Sequence, residues 1–175
     1  MKGPFKKQKS WGGDLMNENE FITIVKRNNQ RIYLIALSYT KNGTDAEDIM
    51  QNVFMKLWKH NKPFEDDKHL DKWLTTVCIN ECRDYIRNPF RKRNVPIDEA
   101  INISAMDKTE NIDLFKAVML LPTKERTIIH LFYYEDMSIN DISDILKLKE
   151  SAVKTRLFRA RQKLKTLLGD EWNNE

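Results

Sequence analysis

The sequence predicts an all-α protein made of two small helical domains joined by a flexible linker, with a helix-turn-helix in the C-terminal domain. Three observations favour this fold class. Apolar residues recur every three or four positions along most of the 175 residues, which is the period of amphipathic helices. Only five glycines and five prolines interrupt the pattern. Residues 89–111 lack a sustained apolar period, so they are expected to link a domain at 18–88 to a domain at 112–170.

Composition and charge restrict the class of function. The formal net charge is +4, and the basic residues are clustered, which favours a polyanionic partner. The scattered histidines and cysteines form no metal-binding pattern, and there is no glycine-rich phosphate loop, so we expect no enzyme activity, no cofactor and no metal. Cys78 and Cys82 lie one helical turn apart, where a disulfide has poor geometry, and are expected to be buried free thiols.

The N-terminal extension, residues 1–17, is basic and glycine-rich, and is expected to be disordered. Gly12-Gly13-Asp14 can be encoded by a bacterial ribosome-binding sequence one codon before Met16, so the natural start is either Met1 or Met16. No segment of the chain has the apolar run of a signal peptide or of a membrane-spanning helix. We therefore expect a cytoplasmic protein that does not insert into a membrane.

The N-terminal domain is predicted to begin with two helices. The first runs from Glu18 to Tyr39 and is expected to end at Gly43, since glycine often follows a helix. Thr44 is then expected to cap a second helix that reaches about Lys59. The apolar stripe of this second helix is almost unbroken. Its outer face carries acidic and amide side chains, which suit a basic protein surface better than DNA.

The third helix of this domain is predicted from Asp67 to Arg87. One side carries polar and basic residues at helical spacing, which form either a solvated face or a surface that holds unpaired bases. These residues are Thr76, Asn80, Arg83 and Arg87. The residues expected to face inward are Leu70, Trp73, Leu74, Val77, Cys78, Cys82, Tyr85 and Ile86.

The C-terminal domain is predicted to begin near Ile112, and Pro122 is expected to open its second helix. Ser138 and Asp141 form a predicted capping pair for a short helix. After a turn at 147–150, Ser151 is expected to cap a longer helix with one apolar side. The predicted buried residues of that helix are Val153, Leu157, Ala160, Leu164 and Leu168.

A short helix, a turn and a long basic helix are the pattern of a helix-turn-helix, whose second helix enters the DNA major groove. From Lys147 to Lys165 there are eight basic residues and a single acidic one, Glu150. The alternative is an ordinary helical hairpin with a solvated basic face. Lys147 stands where many such turns place glycine, and a left-handed lysine there costs on the order of 1 kcal/mol.

Three segments match the motifs of one family. Residues 44–58 read TDAEDIMQNVFMKLW, residues 73–87 hold a Trp-Leu pair followed by spaced Asn, Asp and Arg, and residues 121–164 hold Leu-Pro and the helix-turn-helix. In this order and spacing they resemble the extracytoplasmic-function group of bacterial sigma factors, which are small initiation subunits of RNA polymerase. The resemblance covers residues 19–168, and Ser143, where alanine is common, is one departure.

The resemblance implies promoter-specific transcription initiation through three functional surfaces. Its implied partners are core RNA polymerase, at the clamp coiled coil and the flap, and promoter DNA, and it allows for an anti-sigma protein. The polymerase-binding residues would be Asp45, Asp48, Gln51, Asn52 and Met55. Those for the −10 element would be Thr76, Asn80, Arg83, Asp84 and Arg87, and those for the −35 element Ser151, Lys154, Thr155, Arg156, Arg159 and Arg161.

Two other classes of function remain as alternatives. One is a stand-alone helix-turn-helix regulator that binds duplex DNA tightly by itself. The other is a structural protein-interaction module that uses its basic face on RNA. Neither requires the motif at 44–58. A sigma factor with a flexible linker is instead expected to bind promoters weakly and non-specifically without polymerase, because fixing two tethered domains costs entropy.

Overall fold

The computed structural model describes residues 16–87 and 112–168, and its regular elements in these ranges are helical. The predicted all-α fold class with two helical domains is confirmed. The predicted linker, and the extension before Met16, lie outside the described residues. The helices of the first range are α1 (Glu18–Thr40), α2 (Gly43–Trp58) and α3 (Asp67–Arg87). Those of the second are α4 (Ile112–Leu120), α5 (Thr123–Ile129), α6 (Ile139–Leu146) and α7 (Glu150–Leu168), with a π-helical turn, His130–Tyr134, continuing α5.

Helix α1 begins with a reciprocal cap. The Asn17 side chain accepts a hydrogen bond from the backbone N–H of Glu20 at 3.0 Å. The Glu20 carboxylate in turn accepts from the backbone N–H of Asn17 at 3.3 Å. Two N–H groups that lack partners inside the helix are thereby satisfied, which defines where the helix begins.

The core of the N-terminal domain lies where α1, α2 and α3 meet. Ile32, Leu57 and Leu74, one from each helix, are fully buried there. Cys78 and Cys82 are buried free thiols, as predicted. Burial raises the pKa of the Cys82 thiol well above its ordinary value. The cysteines therefore act as small apolar side chains of the core.

The junction between α1 and α2 differs from the prediction. Lys41, with φ 56°, takes the left-handed conformation that ends α1, and Gly43 is already the first residue of α2. The cap of α2 is Asn42, whose side chain accepts from the backbone N–H of Asp45 at 3.0 Å. The predicted roles of Gly43 as terminator and Thr44 as cap are therefore wrong. Asn42 directly follows the residue that ends α1, and its side chain caps α2 before Thr44 is reached.

Two large apolar residues, each at the end of a helix of this domain, are exposed over a large part of their surface. Ile86 is 41% exposed, since it stands in the last turn of α3, where a helix end is less covered than its centre. Trp58, the last residue of α2, is 49% exposed and packs edge-on against Phe21, with ring centroids 5.0 Å apart. Thr75 and Ile79 are fully buried in α3 although the apolar pattern did not select them.

The C-terminal domain contains the predicted helix-turn-helix in α6 and α7. Ser138 caps α6 by accepting from the backbone N–H of Asp141 at 3.1 Å. Lys147 ends α6 with φ 52°, so a lysine does occupy the left-handed position. Ser151 is not the cap of α7. That helix begins at Glu150. The Lys149 carbonyl already accepts hydrogen bonds from the backbone N–H groups of Ala152 and Val153, so Ser151 lies inside the first turn.

The two domains pack against each other, which a flexible linker does not require. Helix α1 lies against α5 and the π-helical turn, and α3 lies against α6. The Arg31 guanidinium of α1 pairs with Glu135, whose side chain is only 6% exposed. Arg126 of α5 is fully buried and donates to the carbonyl oxygen of Ser38 in α1. The packing places the first helix of the helix-turn-helix beside α3.

Candidate polymerase and nucleic-acid interfaces

The outward face of α2 carries the residues predicted to bind protein. Asp48, Gln51 and Met55 are exposed, and Met55 is 55% exposed. Asn52 is half-buried. Asp45 is also half-buried, and its carboxylate accepts a hydrogen bond from the Tyr85 hydroxyl of α3. Asp48 is thus the open carboxylate among the predicted residues, beside an exposed amide and an exposed thioether.

The opposite side of α2 is committed to the core. Ala46, Val53 and Leu57 are fully buried, and Ile49 is nearly so. A substitution on the outward face therefore leaves the packing of this helix untouched. This separation of faces makes the outward side available for a partner protein.

The polar stripe of α3 divides into a covered half and an open half. Thr76 is half-buried, and its hydroxyl donates to the Lys72 carbonyl at 2.7 Å. Arg83 is half-buried and donates to the Leu146 carbonyl of α6 at 2.9 Å. Asn80 is exposed. Asp84 and Arg87 are exposed as well, with a long ion-pair distance of 4.0 Å between them.

Lys72 belongs to this stripe although the sequence analysis did not select it. It lies one turn before Thr76 on the same side of α3, and its ammonium contacts Asp141 at 2.9 Å and Asp144 at 3.3 Å. These partners raise the pKa of Lys72, with the Asp141 hydrogen bond as the main cause. The feature of the sequence that could have identified Lys72 was its spacing of four residues from Thr76, which puts both on one side of the helix.

An aromatic group packs beside the start of α3. Trp73 is half-buried, and its ring centroid lies 4.6 Å from that of His60 and 5.5 Å from that of Phe64. Burial, followed by nearby positive charge, lowers the pKa of His60. Leu70 is buried, so it offers no surface to a ligand. Of Leu70 and Trp73, the two apolar residues at this end of the stripe, Trp73 retains an exposed part.

Helix α7 presents most of its predicted residues to solvent. Val153, Leu157, Ala160 and Leu164 form its buried side, as predicted, whereas Leu168, which was also predicted to be buried, is half-buried in the last position of the helix. Arg156 lies at the flank of this side and is half-buried. The predicted residues that are exposed are Ser151, Lys154, Thr155, Arg159 and Arg161.

Arg161 has a partner inside the domain. Its Nε–H donates to the Tyr133 hydroxyl at 2.7 Å, and its guanidinium lies 5.5 Å from the Tyr133 ring centroid and 5.7 Å from that of Phe132. Lys163 similarly pairs with Glu125 at 2.7 Å. The later turns of α7 are therefore tied to the π-helical turn and to α5.

Phe158 is a residue that sequence reasoning missed. It is 62% exposed and stands on the outward side of α7, one turn after Lys154 and Thr155. A large aromatic side chain on the polar side of a basic helix was the signal that could have identified it. Its neighbours along the same side are Ser151 and Gln162, which are both exposed.

Comparison with known proteins identifies the family. The model for Sigma-70 region 2 matches residues 24–92, and the model for Sigma-70 region 4 matches residues 112–164. The sigma factor SigM of the extracytoplasmic-function (ECF) group from Bacillus subtilis is 30% identical over 153 residues, covering 82% of this chain and 92% of that protein. This chain belongs to the ECF sigma factors of RNA polymerase. It directs promoter-specific transcription initiation.

Other comparisons agree with this family. SigV of Bacillus subtilis is 29% identical to this sigma factor over 153 residues, covering 86% of this chain and 92% of that protein. The solved structure of RpoE from Bartonella quintana, in complex with the anti-sigma factor NepR, matches with a TM-score of 0.68 and 26% identity. The match covers 87% of this chain and 99% of that chain.

Within residues 16–87 and 112–168, no helix is long and apolar enough to span a membrane. In the same ranges, no three His, Cys, Asp or Glu side chains gather as metal ligands would.

Proposed function

We propose that this sigma factor docks on core RNA polymerase through the outward face of α2, reads unpaired −10 bases with the stripe of α3, and reads the −35 duplex with α7. The observation that carries this assignment is the distribution of charge and exposure over three helices. The open face of α2 is acidic and amide-rich, the stripe of α3 combines amide, hydroxyl and cationic side chains with one carboxylate, and the open face of α7 is basic. Each has a buried apolar side behind it. Three chemically distinct surfaces suit three distinct partners.

The α2 face suits a basic protein surface. Asp48 supplies a charge for an ion pair, Gln51 supplies an amide for hydrogen bonds, and Met55 supplies an adaptable apolar contact. Asn52 stands beside them, and Asp45 contributes through the oxygen that Tyr85 does not occupy. The clamp coiled coil of polymerase is the partner we assign to this face, and the flap is the partner of the C-terminal domain.

The α3 stripe suits unpaired bases and their backbone. Asn80 and Thr76 offer hydrogen-bonding groups for base edges, and Arg83 and Arg87 offer cations for phosphates. Asp84 lies beside Arg87 and can accept from an exocyclic amino group. Lys72 extends the cationic surface by one turn. Melted DNA at the −10 element presents the matching groups.

The α7 face suits the major groove. Ser151 and Thr155 can exchange hydrogen bonds with base edges, and Lys154 and Arg156 in the first turns can reach guanine acceptors. Phe158 is positioned for the methyl groups of thymine. Arg159 and Arg161 lie further along the helix and suit phosphates. We assign the −35 duplex to this surface.

The same proposal covers location and regulation. A subunit that touches polymerase and promoter DNA acts in the cytoplasm, as a binding protein without catalysis of its own. An anti-sigma protein is a further proposed partner, supported by the likeness to RpoE, which was solved with the anti-sigma factor NepR. The basic stripes of α3 and α7 would be its most direct targets, because covering them would block promoter contacts.

The test is a pull-down with core RNA polymerase followed by transcription from promoters selected out of a random library. We expect stoichiometric binding to core and transcripts that start from one class of promoter. The isolated protein should bind promoter and scrambled duplex alike, weakly and with strong dependence on salt. Tight, sequence-specific binding without polymerase would favour a stand-alone regulator instead.

A further inference from the structure

The π-helical turn, His130–Tyr134, presents an exposed tyrosine to the basic helix α7. Tyr133 is 53% exposed, and its hydroxyl accepts a hydrogen bond from the Arg161 Nε–H at 2.7 Å. The backbone is wider here than in an α-helix, since the N–H of Glu135 donates to the His130 carbonyl at 3.2 Å. Single π-helical turns of this kind occur often at functional sites. The turn therefore holds Tyr133 at the surface, in contact with a side chain of α7.

Arg161 is oriented by uncharged groups. Besides the hydrogen bond to Tyr133, its guanidinium lies 5.5 Å from the Tyr133 ring centroid and 5.7 Å from that of Phe132. Aromatic faces attract a cation without neutralising it. Among the residues that the structure describes, no carboxylate lies within ion-pair distance of Arg161. Its direction is fixed, and its charge is not compensated by these partners.

The nearby Lys163 of α7 shows the contrast. Its ammonium lies 2.7 Å from the carboxylate of Glu125, whose side chain is 12% exposed. That ion pair compensates the charge of the lysine and directs it toward α5. A cation held by a carboxylate suits a role in the fold, whereas a cation held by a hydroxyl and two rings retains the charge that an anion-binding site requires.

The pair of Tyr133 and Arg161 offers hydrogen-bond donors side by side. Arg161 uses its Nε–H on the tyrosine oxygen, so the N–H groups of its two terminal nitrogens remain for an anion. The tyrosine oxygen is the acceptor in that bond, so its own O–H can donate to the same anion. Phosphate oxygens accept from arginine in a bidentate manner, and a neighbouring hydroxyl adds a further bond. The chemistry of the pair is therefore that of a phosphate site.

The position of the pair relates this chemistry to DNA. Arg161 stands two turns after Lys154 on the same side of α7, with Phe158 between them, and all three are exposed. When a helix lies in the major groove, the phosphate backbones run along its flanks. Tyr133 belongs to the element beside α7, so it is placed for the backbone and not for base edges.

We propose that Tyr133 and Arg161 together bind one backbone phosphate at the edge of the −35 element, so that the DNA surface of the C-terminal domain extends from α7 onto the π-helical turn. This inference rests on the proposed assignment of α7 to the −35 duplex. Tyr133 fixes the direction of the Arg161 guanidinium and donates its own O–H. Because every sequence presents the same phosphates, the site contributes affinity and register and no base preference.

The first measurement is the affinity of polymerase that carries each sigma variant for promoter DNA, at several salt concentrations. Tyr133→Phe keeps the ring and removes the hydroxyl, and should lower the affinity by about three- to tenfold. Arg161→Gln should lower it by about tenfold or more and reduce the salt dependence by about one counterion. Both losses should be alike for promoters that differ in their −35 sequence.

Two variants are matched controls. Tyr134→Phe removes the hydroxyl of the adjacent tyrosine, whose ring stacks on that of His130 with centroids 5.1 Å apart. Lys163→Gln removes a cation that already has a carboxylate partner. Each should change the affinity much less than its counterpart. Equal losses in Tyr134→Phe and Tyr133→Phe, or in Lys163→Gln and Arg161→Gln, would overturn the proposal.

The second measurement replaces single phosphates around the −35 element by uncharged methylphosphonates. One replacement should weaken the native complex and have little further effect on Tyr133→Phe or Arg161→Gln, because both changes remove the same contact. For the same reason, the double variant should lose less affinity than the product of the two separate losses. If every replacement affects the native and Tyr133→Phe complexes equally, the hydroxyl does not act on a phosphate and the proposal is wrong.

Failure of this site and failure of the proposed function are distinguishable. If Lys154→Ala weakens promoter binding while Tyr133→Phe does not, α7 still contacts the −35 duplex and only the phosphate site is wrong. If neither affects promoter binding, the assignment of α7 to DNA is wrong as well. If Tyr133→Phe instead weakens binding to core polymerase, the pair contacts protein and the proposal fails. Urea unfolding followed by circular dichroism establishes that each variant is folded.

Discussion

At the scale of single residues, each assigned surface depends on a few exposed side chains. They are available to a partner because the opposite side of their helix is buried in the core. Asp48 stands on a helix whose other side is fully committed to the core. Phe158 exposes an apolar ring to water on the side of α7 that we assign to DNA. Substitutions at these two positions separate function from folding.

Asp48→Arg should weaken binding to core polymerase by about tenfold or more, because it replaces attraction by repulsion at a basic surface. The free energy of unfolding should stay unchanged, since Asp48 is exposed. Glu65→Arg gives the same charge change away from α2 and serves as the control. The measurement is the equilibrium affinity of labelled sigma factor for core polymerase. Unaltered affinity of a folded Asp48→Arg protein would show that Asp48 does not belong to the interface.

Phe158→Ala should cost about 1–3 kcal/mol of promoter binding in the polymerase complex and relax the preference for thymine at one −35 position. Lys165→Ala, two turns further along α7, should weaken binding to all sequences alike and reduce the salt dependence by about one counterion. Promoter profiling of both variants distinguishes them. Equal, sequence-independent losses would show that the reading edge is elsewhere.

At the scale of elements, the turn between α6 and α7 is closed by a residue in a conformation that its side chain disfavours. Lys147 has φ 52° and ψ 50°, and its backbone N–H donates to the Asp144 carbonyl at 3.3 Å. The next residue, Leu148, donates to Ser143 at 2.9 Å, so the end of α6 is satisfied by backbone bonds alone. The lysine side chain is exposed and contributes little to this turn.

Lys147→Gly should therefore raise the free energy of unfolding by about 0.5–1 kcal/mol, since glycine adopts this conformation without strain. Lys149→Gly removes the same charge where the backbone is not left-handed, and should be neutral or destabilising. Urea unfolding followed by circular dichroism measures both. Equal changes in the two variants would mean that charge, not backbone strain, decides.

At the scale of the whole molecule, the sequence predicts the helices well and their tertiary contacts poorly. The bounds of α3 and the cap at Ser138 follow from neighbouring residues, so local patterns suffice for them. The contact between Arg31 and Glu135 joins residues far apart in sequence, and neither carries a local signal of the other. The exposure of Phe158 did leave a local signal, an aromatic residue on the polar side of a basic helix, but a search for apolar periodicity selects buried positions and passes over it. Contact between the domains emerges only in three dimensions.

Acid should weaken the contact between the two domains. Burial raises the pKa of Glu135, but His130 and Arg31 lower it more, so its pKa in the packed state lies below the ordinary 4.5. Domain separation would return it toward 4.5, so the contribution of Glu135 to the contact is full above that value and lost as pH falls through the lowered pKa. Asp141 acts in the same direction only through Lys72, because the larger lowering of its pKa comes from Ser138 in its own domain. Asp71 acts in the opposite direction, because burial raises its pKa against the effects of Arg31 and Arg27.

Fluorescent labels on cysteines introduced at the exposed Lys59 and Lys165 report the separation of α2 from α7. Their distance, measured between about pH 7 and pH 4, tests this linkage. We expect the distance to lengthen at a higher pH than the one at which helix content begins to fall. In Glu135→Gln the distance should already be longer at neutral pH and should depend less on acid. A native distance that stays unchanged until the helices unfold would show that Glu135 does not contribute to the contact between the domains.

The buried guanidinium of Arg126 has a consequence for how such proteins can be recombined. Burial lowers its pKa to about 10, so it remains charged at neutral pH. Three of its acceptors belong to its own domain, namely the carbonyls of Met119 and Leu121 and the hydroxyl of Thr123, while Ser38 alone lies across the boundary. Because three acceptors lie in its own domain, the guanidinium can exchange the fourth acceptor, the Ser38 carbonyl, for water without becoming an unpaired buried charge. The C-terminal half should therefore be transplantable between relatives as an intact module, bringing its −35 preference with it.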